Sequence, residues 1–177
     1  MATEIEIVST IPQKKISPKE ILNELNIINK EVFNNIFSTD IIEGVKDQGG
    51  NIVNLMTEIP DSSYLYFYNK TEEKLIVING PNHEVHDELF TAEEKINDTP
   101  RFNSDLLSEL SESAATTNTS YLIRWSPTID QSDLLAYALV LCICNLLNGV
   151  IINNFGSNIE YGTYLADGWK KIVCTIH

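Results

Sequence analysis

The longest apolar stretch of the chain runs from 134 to 147, where every residue except Asn145 is apolar. A helix that is apolar on all sides offers no face to water, so this pattern predicts a helix buried inside the domain. Asp130 stands at the expected N-cap, and Asp133 in the first turn complements the helix dipole. Gly149 stands where the helix should end, and the apolar residues after it predict a short buried strand.

A second helix is predicted near the N-terminus. Ser17, Pro18 and Glu20 match an N-cap, a proline at the first helical position and the acidic partner of a capping box. The apolar residues that follow recur at helical spacing: Ile21, Leu22, Leu25, Ile28, Val32, Phe33 and Ile36. This spacing predicts one apolar face that packs on the core.

β-Strands are predicted from short runs of β-branched and aromatic residues, at 5–8, 52–56, 64–68, 74–79, 121–125 and 169–176. The polar residues 69–73 predict a hairpin turn, and 40–50 is interpreted as a polar connection. Because strands and helices mix without a regular βαβ alternation, we expect an α+β fold. The 177 residues are expected to form a single domain, a mostly antiparallel sheet with the N-terminal and central helices packed on it.

Charge is the most informative feature of the composition. The chain has 25 acidic and 12 basic residues, a formal net charge of −13 at pH 7. Such a protein repels nucleic acid and anionic membrane surfaces and attracts basic partners. One segment, 84–112, holds nine acidic residues against two basic ones. Acidic runs also commonly just solvate a face of a protein, so this segment has a structural interpretation beside a functional one.

The sequence predicts a cytoplasmic protein without a membrane span. The first 15 residues are charged throughout and lack the apolar core of a secretory signal. The apolar stretch 134–152 is interrupted by two asparagines and a glycine and has no flanking Lys or Arg. The three cysteines, Cys142, Cys144 and Cys174, cannot all pair with one another. We expect them to be reduced, buried thiols.

Only one cluster could bind a metal. His83 and His86 lie three apart among carboxylates, but the metalloprotease pattern needs one more residue between the histidines. The remaining histidine is His177, so an exposed polar turn without a metal is the favoured interpretation. No nucleophile elbow or glycine-rich phosphate loop occurs. We therefore predict no catalytic residues, no cofactor and no enzymatic activity.

Three alternating tyrosines, Tyr64, Tyr66 and Tyr68, could form a stacking platform for nucleic acid. No basic residues surround them in the sequence, and the negative net charge of the chain disfavours the binding of nucleic acid. Aromatic packing on one face of the sheet is therefore the favoured interpretation.

The stretch LLAYALVLCICNLLNGVIINN resembles a helix-to-glycine-to-strand passage of the immunity proteins of bacterial polymorphic toxins, including contact-dependent growth inhibition systems. The early ISPKEILNELN helix is similar to one in the same families. The resemblance implies a protein that binds a cognate toxin domain, often a basic nuclease such as an RNase or DNase, and covers its active site. We expect a monomer in the cytoplasm.

Charge then predicts which residues contact such a toxin, because carboxylates can take the place of nucleic acid phosphates. The predicted contact residues are Glu84, Asp87, Glu88, Glu93, Glu94, Asp98, Asp105, Glu109, Glu112, Asp130 and Asp133.

Two alternatives stay open. The chain also resembles the acidic homodimeric chaperones of type III secretion, which would hold an extended effector segment in place of a folded toxin domain. A metal-dependent enzyme built on His83 and His86 is the third possibility.

Overall fold

A seven-stranded antiparallel sheet organises the computed structural model, which describes residues 3–9, 11, 14–82, 119–126, 132–155, 159–160 and 162–176. The strands are β1 (Thr3–Ser9), β2 (Gly44–Asp47), β3 (Ser63–Tyr68), β4 (Lys74–Asn82), β5 (Ser120–Trp125), β6 (Gly149–Phe155) and β7 (Gly162–Tyr164). Their order across the sheet is β2-β3-β4-β5-β1-β6-β7, and each neighbouring pair is antiparallel. The helices of the described part are α1 (Pro18–Glu31), α2 (Ser132–Leu147), α3 (Ala166–Val173) and a 3-10 turn at Thr39–Ile41. The predicted α+β fold is confirmed.

Helix α2 lies in the core, as its apolar sequence predicts. Every side chain from Leu135 to Cys144 is buried. The helix contacts β1, β5 and β6 of the sheet and also α1 and α3. Neighbours on several sides explain why the helix needs no polar face. Within the residues that the structure describes, no helix is both long and apolar enough to cross a membrane.

Helix α1 begins with the predicted capping box. The backbone N–H of Ser17 donates to Glu20 Oε2 over 2.8 Å, and the backbone N–H of Glu20 donates to Ser17 Oγ over 3.3 Å. Two backbone N–H groups that have no partner within the helix are satisfied in this way. The buried residues Ile21, Leu25 and Ile28 face the core, and α1 packs on α2.

The two faces of the sheet carry different side chains. On the first face, Ile5 and Ile7 of β1 lie beside Ile123 and Tyr121 of β5, and all four belong to the apolar core that includes α2. The second face carries the alternate residues, among them a cross-strand row of Lys46, Tyr66, Val77, Arg124 and Glu4. The strand alternation therefore separates an apolar face from one that carries charged and aromatic groups.

The prediction for the region between α1 and β3 was wrong. Strand β2 lies within the expected polar connection, and 52–56 is not a strand, since Ile52 makes only an isolated bridge to Lys46. A tight turn follows β2, in which the backbone N–H of Asn51 donates to Asp47 Oδ1 over 2.8 Å. The Asn51 side-chain amide also donates to the Asp47 carboxylate, and this hydrogen bond, followed by the one from the Asn51 backbone N–H, lowers the pKa of the Asp47 carboxyl. Strand β2 has a single buried apolar residue, Val45, so its pairing with β3 leaves little trace in the sequence.

The C-terminal prediction was also wrong. Residues 169–176 were expected as a strand because Ile172, Cys174 and Ile176 alternate, but the chain forms helix α3 from Ala166 to Val173. Trp169 and Val173, four residues apart, are both fully buried, and the Trp169 indole N–H donates to Tyr137 O over 3.1 Å. Burial of residues four apart, which lie on one side of a helix, therefore explains why this segment is a helix and not a strand. As a consequence Cys174 is exposed, whereas Cys142 and Cys144 are buried as expected.

Candidate partner-binding surface

Most of the predicted contact residues lie outside the described part of the chain. These are the nine acidic residues from Glu84 to Glu112 and Asp130. The histidines of the metal-site alternative, His83, His86 and the remaining His177, also lie outside the described residues. Their role as partner contacts stays a prediction. Among the described residues, no group of three His, Cys, Asp or Glu side chains is placed to hold a metal ion.

Asp133 is the one predicted contact residue that the structure describes. Its Oδ1 accepts a hydrogen bond from the Trp125 indole N–H over 2.6 Å, and the carboxylate is partly buried. The Trp125 ring meets Tyr137 edge to face, with 5.7 Å between ring centroids. Asp133 therefore ties the first turn of α2 to β5, which is a structural contact whatever else the residue binds.

The described residues on the two sides of 83–118 are neighbours in the sheet. Strand β4 ends at Asn82, β5 begins at Ser120, and these two residues are partners in the antiparallel register. The backbone N–H of Ser9 also donates to Thr119 O over 2.8 Å. Residues 83–118, which include Glu84 to Glu112 and which we call the acidic segment, therefore connect two neighbouring strands of the sheet.

The second face of β2, β3 and β4 carries an array that we call the tyrosine face: Lys46, Tyr64, Tyr66, Tyr68 and Lys74. Lys46 Nζ lies 4.5 Å from the ring centroid of Tyr68. Lys74 Nζ lies 4.4 Å from the centroid of Tyr66 and 5.8 Å from that of Tyr64. Both ammonium groups are within the range of cation–π attraction. Tyr66 and Tyr68 are each 8% exposed, whereas Tyr64 is half-buried.

Two local features position the Tyr68 side of this array. Gly44 lies opposite Tyr68 in the register, and a Cβ on Gly44 would lie 2.8 Å from Tyr68 Oη, so the glycine leaves room for the ring. Lys46 is held by Glu72, with 3.0 Å between Nζ and Oε2. The hydrogen bond to Glu72 is the main cause of the raised pKa of Lys46.

The tyrosine face corrects one expectation and confirms another. The three tyrosines do pack on one face of the sheet. Basic residues do surround them, contrary to the sequence interpretation, because β2 and β4 bring Lys46 and Lys74 over the rings. Lys74 could have been found from the hairpin register, which pairs it with Tyr68. The position of Lys46 could not have been found in this way, because the sequence did not predict strand β2.

The described residues also include a surface depression and a pair of core thiols. A shallow depression of about 350 Å³ is lined by Ser38, Asp40, Ile41, Asn69, Lys70 and Thr71. The second feature is the pair of core thiols, where burial raises the pKa of Cys144 to about 12 and that of Cys142 well above its usual value. Near neutral pH these thiols are therefore protonated and unsuited to nucleophilic or metal-binding chemistry.

Comparison of the chain with protein-family models, with curated proteins and with solved structures finds no match. The charge distribution of the chain and the geometry described above are therefore the observations that bear on its function.

Proposed function

We propose that this protein is an immunity protein of the bacterial cytoplasm, which binds a cognate toxin domain and blocks its active site. The observation that carries the proposal is the distribution of charge. Of the net charge of −13, the segment from Glu84 to Glu112 supplies the largest part, with nine acidic and two basic residues. The chain leaves the sheet at Asn82 before this segment and returns to it at Ser120 after it, and these two residues are partners in the register.

The chemistry of inhibition follows from this charge. A nuclease binds the phosphates of its substrate through Lys and Arg side chains, and carboxylates can take the same positions. Inhibitor and substrate then compete for one set of cationic groups. Complementary charge should raise the association rate constant above the usual 10⁵–10⁷ M⁻¹s⁻¹, by about tenfold or more at low salt. Slow dissociation would come from apolar contacts inside the interface, since charges at the rim act mainly on association.

A titration of toxin activity tests this proposal. The proposal expects a gene for a toxin domain immediately upstream of the gene for this protein, and that domain, assayed on RNA and DNA substrates, is the probe. We expect activity to fall linearly and to reach zero at one equivalent of the protein. Residual activity at large excess, or no complex at micromolar concentrations, would contradict the proposal.

The mass of the complex separates the proposal from the chaperone alternative. An immunity protein should form a complex of one chain with one folded toxin domain. A secretion chaperone should be a dimer in isolation and should bind an extended peptide segment. Light scattering on a size-exclusion column distinguishes the two, because the free chain of 19.9 kDa would elute as a species of twice that mass in the chaperone case.

A further inference from the structure

Lys74 is the least constrained member of the tyrosine face. Its side chain is exposed and lies over two rings, those of Tyr66 at 4.4 Å and Tyr64 at 5.8 Å. The ion pairs among the described residues join Lys15 to Asp61, Lys46 to Glu72 and Arg124 to Glu4, and none includes Lys74. Among the described residues, the contacts that hold the Lys74 ammonium are therefore the cation–π contacts with Tyr66 and Tyr64.

Lys46 is different, although it lies over a tyrosine in the same array. Its Nζ contacts Glu72 Oε2 at 3.0 Å, and its side chain is only 13% exposed. Lys46 is therefore a fixed part of the array. Lys74 resembles a cation bound in an aromatic site, and its long side chain can turn away into solvent.

We propose that Tyr64 and Tyr66 form a binding site for an ammonium or guanidinium group of a partner protein, and that Lys74 occupies this site in the free protein. The negative face of a tyrosine ring attracts any cation of this size, and two rings share the one that is now present. Release of Lys74 would open the same position to a Lys or Arg side chain from outside.

The net charge of the protein favours a cationic occupant. A chain with a formal charge of −13 concentrates basic side chains around it and repels acidic ones. The identity of the occupant as a toxin side chain rests on the proposed function, but cation binding by the two rings does not. The site would add a specific contact to the more diffuse attraction of the acidic segment.

An apolar neighbour makes the surface suitable for a protein partner. Ile52 is 77% exposed and bridges to Lys46, which in turn pairs with Tyr66 on the second face. Aromatic anchors beside exposed aliphatic side chains are the composition found at the energetic centre of protein interfaces.

Argininamide is the probe for the first test, because it supplies a guanidinium without any toxin. The protein, labelled in its tyrosine rings, is titrated and followed by NMR, with the buried Tyr121, Tyr137 and Tyr164, outside the tyrosine face, as internal references. We expect the Tyr64 and Tyr66 ring signals to shift. In Lys74→Ala the dissociation constant should fall about two- to fivefold, which corresponds to removal of one exposed cation–π competitor.

Lys70→Ala is the matched control. Lys70 is exposed in the β3–β4 turn, so the variant loses the same charge four residues away, outside the tyrosine face. It should bind argininamide like the wild type. In Lys74→Ala combined with Tyr64→Leu, the tightening should be lost, and the half-buried position of Tyr64 makes this replacement compatible with folding. Equal affinity in Lys74→Ala and Lys70→Ala, or no shift of either ring, would overturn the proposal.

Toxin binding then separates the two proposals. If argininamide binds as expected but the toxin domain does not, the proposed function fails and the cation site stands. If the toxin is neutralised but the rings do not respond to argininamide, only the cation site fails. With both intact, Lys74→Ala should bind the toxin two- to fivefold more tightly than Lys70→Ala does.

Discussion

The two faces of the sheet are stabilised by different interactions. The first face is covered by α2, whose side chains from Leu135 to Cys144 are all buried among apolar neighbours. The second face, from β2 to β4, is lined by tyrosine rings and lysine ammonium groups. Apolar burial scales with area and is indifferent to the exact partner, whereas cation–π and ion pairs depend on particular residues being adjacent. The first face therefore accounts for folding, and the second carries chemistry available for recognition.

The largest effect is expected from a charge on the first face. Leu139→Asp places a carboxylate at a fully buried position of α2, which costs several kcal/mol even after its pKa has adjusted. We expect an insoluble or unfolded variant, detected by loss of the fluorescence of the buried Trp125 and Trp169.

Asn145→Ala is the control on the same helix. Asn145 is exposed and donates to Glu24 Oε1 over 2.9 Å, so its loss should change stability little. Wild-type-like thermal unfolding of Leu139→Asp would show that α2 is not the centre of the core.

The parts of the fold that the sequence predicts are those with a local signal, and the parts that it does not predict depend on pairing between distant segments. The continuous apolar run of α2 and the capping residues of α1 are local signals, and both predictions were confirmed. Strand β2 was missed because its stability comes from pairing with β3, and α3 was taken for a strand because a short segment fits both periods. Proximity of Lys46 to Tyr68 depends on that missed pairing and could not be anticipated.

A smaller effect is expected at the start of α1, the outer helix on the first face. Ser17→Ala removes the side chain that accepts from the Glu20 backbone N–H, and the loss of such a cap costs about 1 kcal/mol. Urea denaturation should show a lower midpoint with an unchanged slope. Thr57→Ala, which removes an exposed hydroxyl outside any helix, is the control and should leave the midpoint unchanged. A midpoint of Ser17→Ala equal to that of the wild type would mean that water replaces the cap without cost.

The smallest effect is expected on the second face. Glu72→Gln removes the ion pair with Lys46 while the amide keeps the shape of the side chain. Because Glu72 raises the pKa of Lys46, the pair stabilises the folded protein below the usual pKa of 10.5. That contribution should disappear as the pH rises through the higher folded pKa. Denaturation of both proteins at neutral pH and above pH 11 measures it, and a constant difference would exclude an ionic origin.

The reactivity of the three cysteines tests the burial of α2 without a mutation. Cys142 and Cys144 are buried on α2 with raised pKa values, whereas Cys174 is exposed beyond α3. At pH 8 a thiol reagent should modify one cysteine rapidly and the other two only after unfolding. Rapid reaction of all three would contradict the burial of α2.

The most direct test of the proposed function is the association rate with the toxin domain, measured by stopped flow at low and high salt. Reversal of Glu88, Glu93, Glu94 and Asp98 to Lys should slow association at least tenfold at low salt and flatten its salt dependence. The matched variant reverses Glu31, Asp40, Glu43 and Glu58, which are exposed elsewhere and give the same change in net charge. We predict that this control associates much faster than the first variant. Equal rates for the two variants would show that overall charge alone attracts the partner, and a first variant as fast as the wild type would show that the acidic segment only solvates the protein.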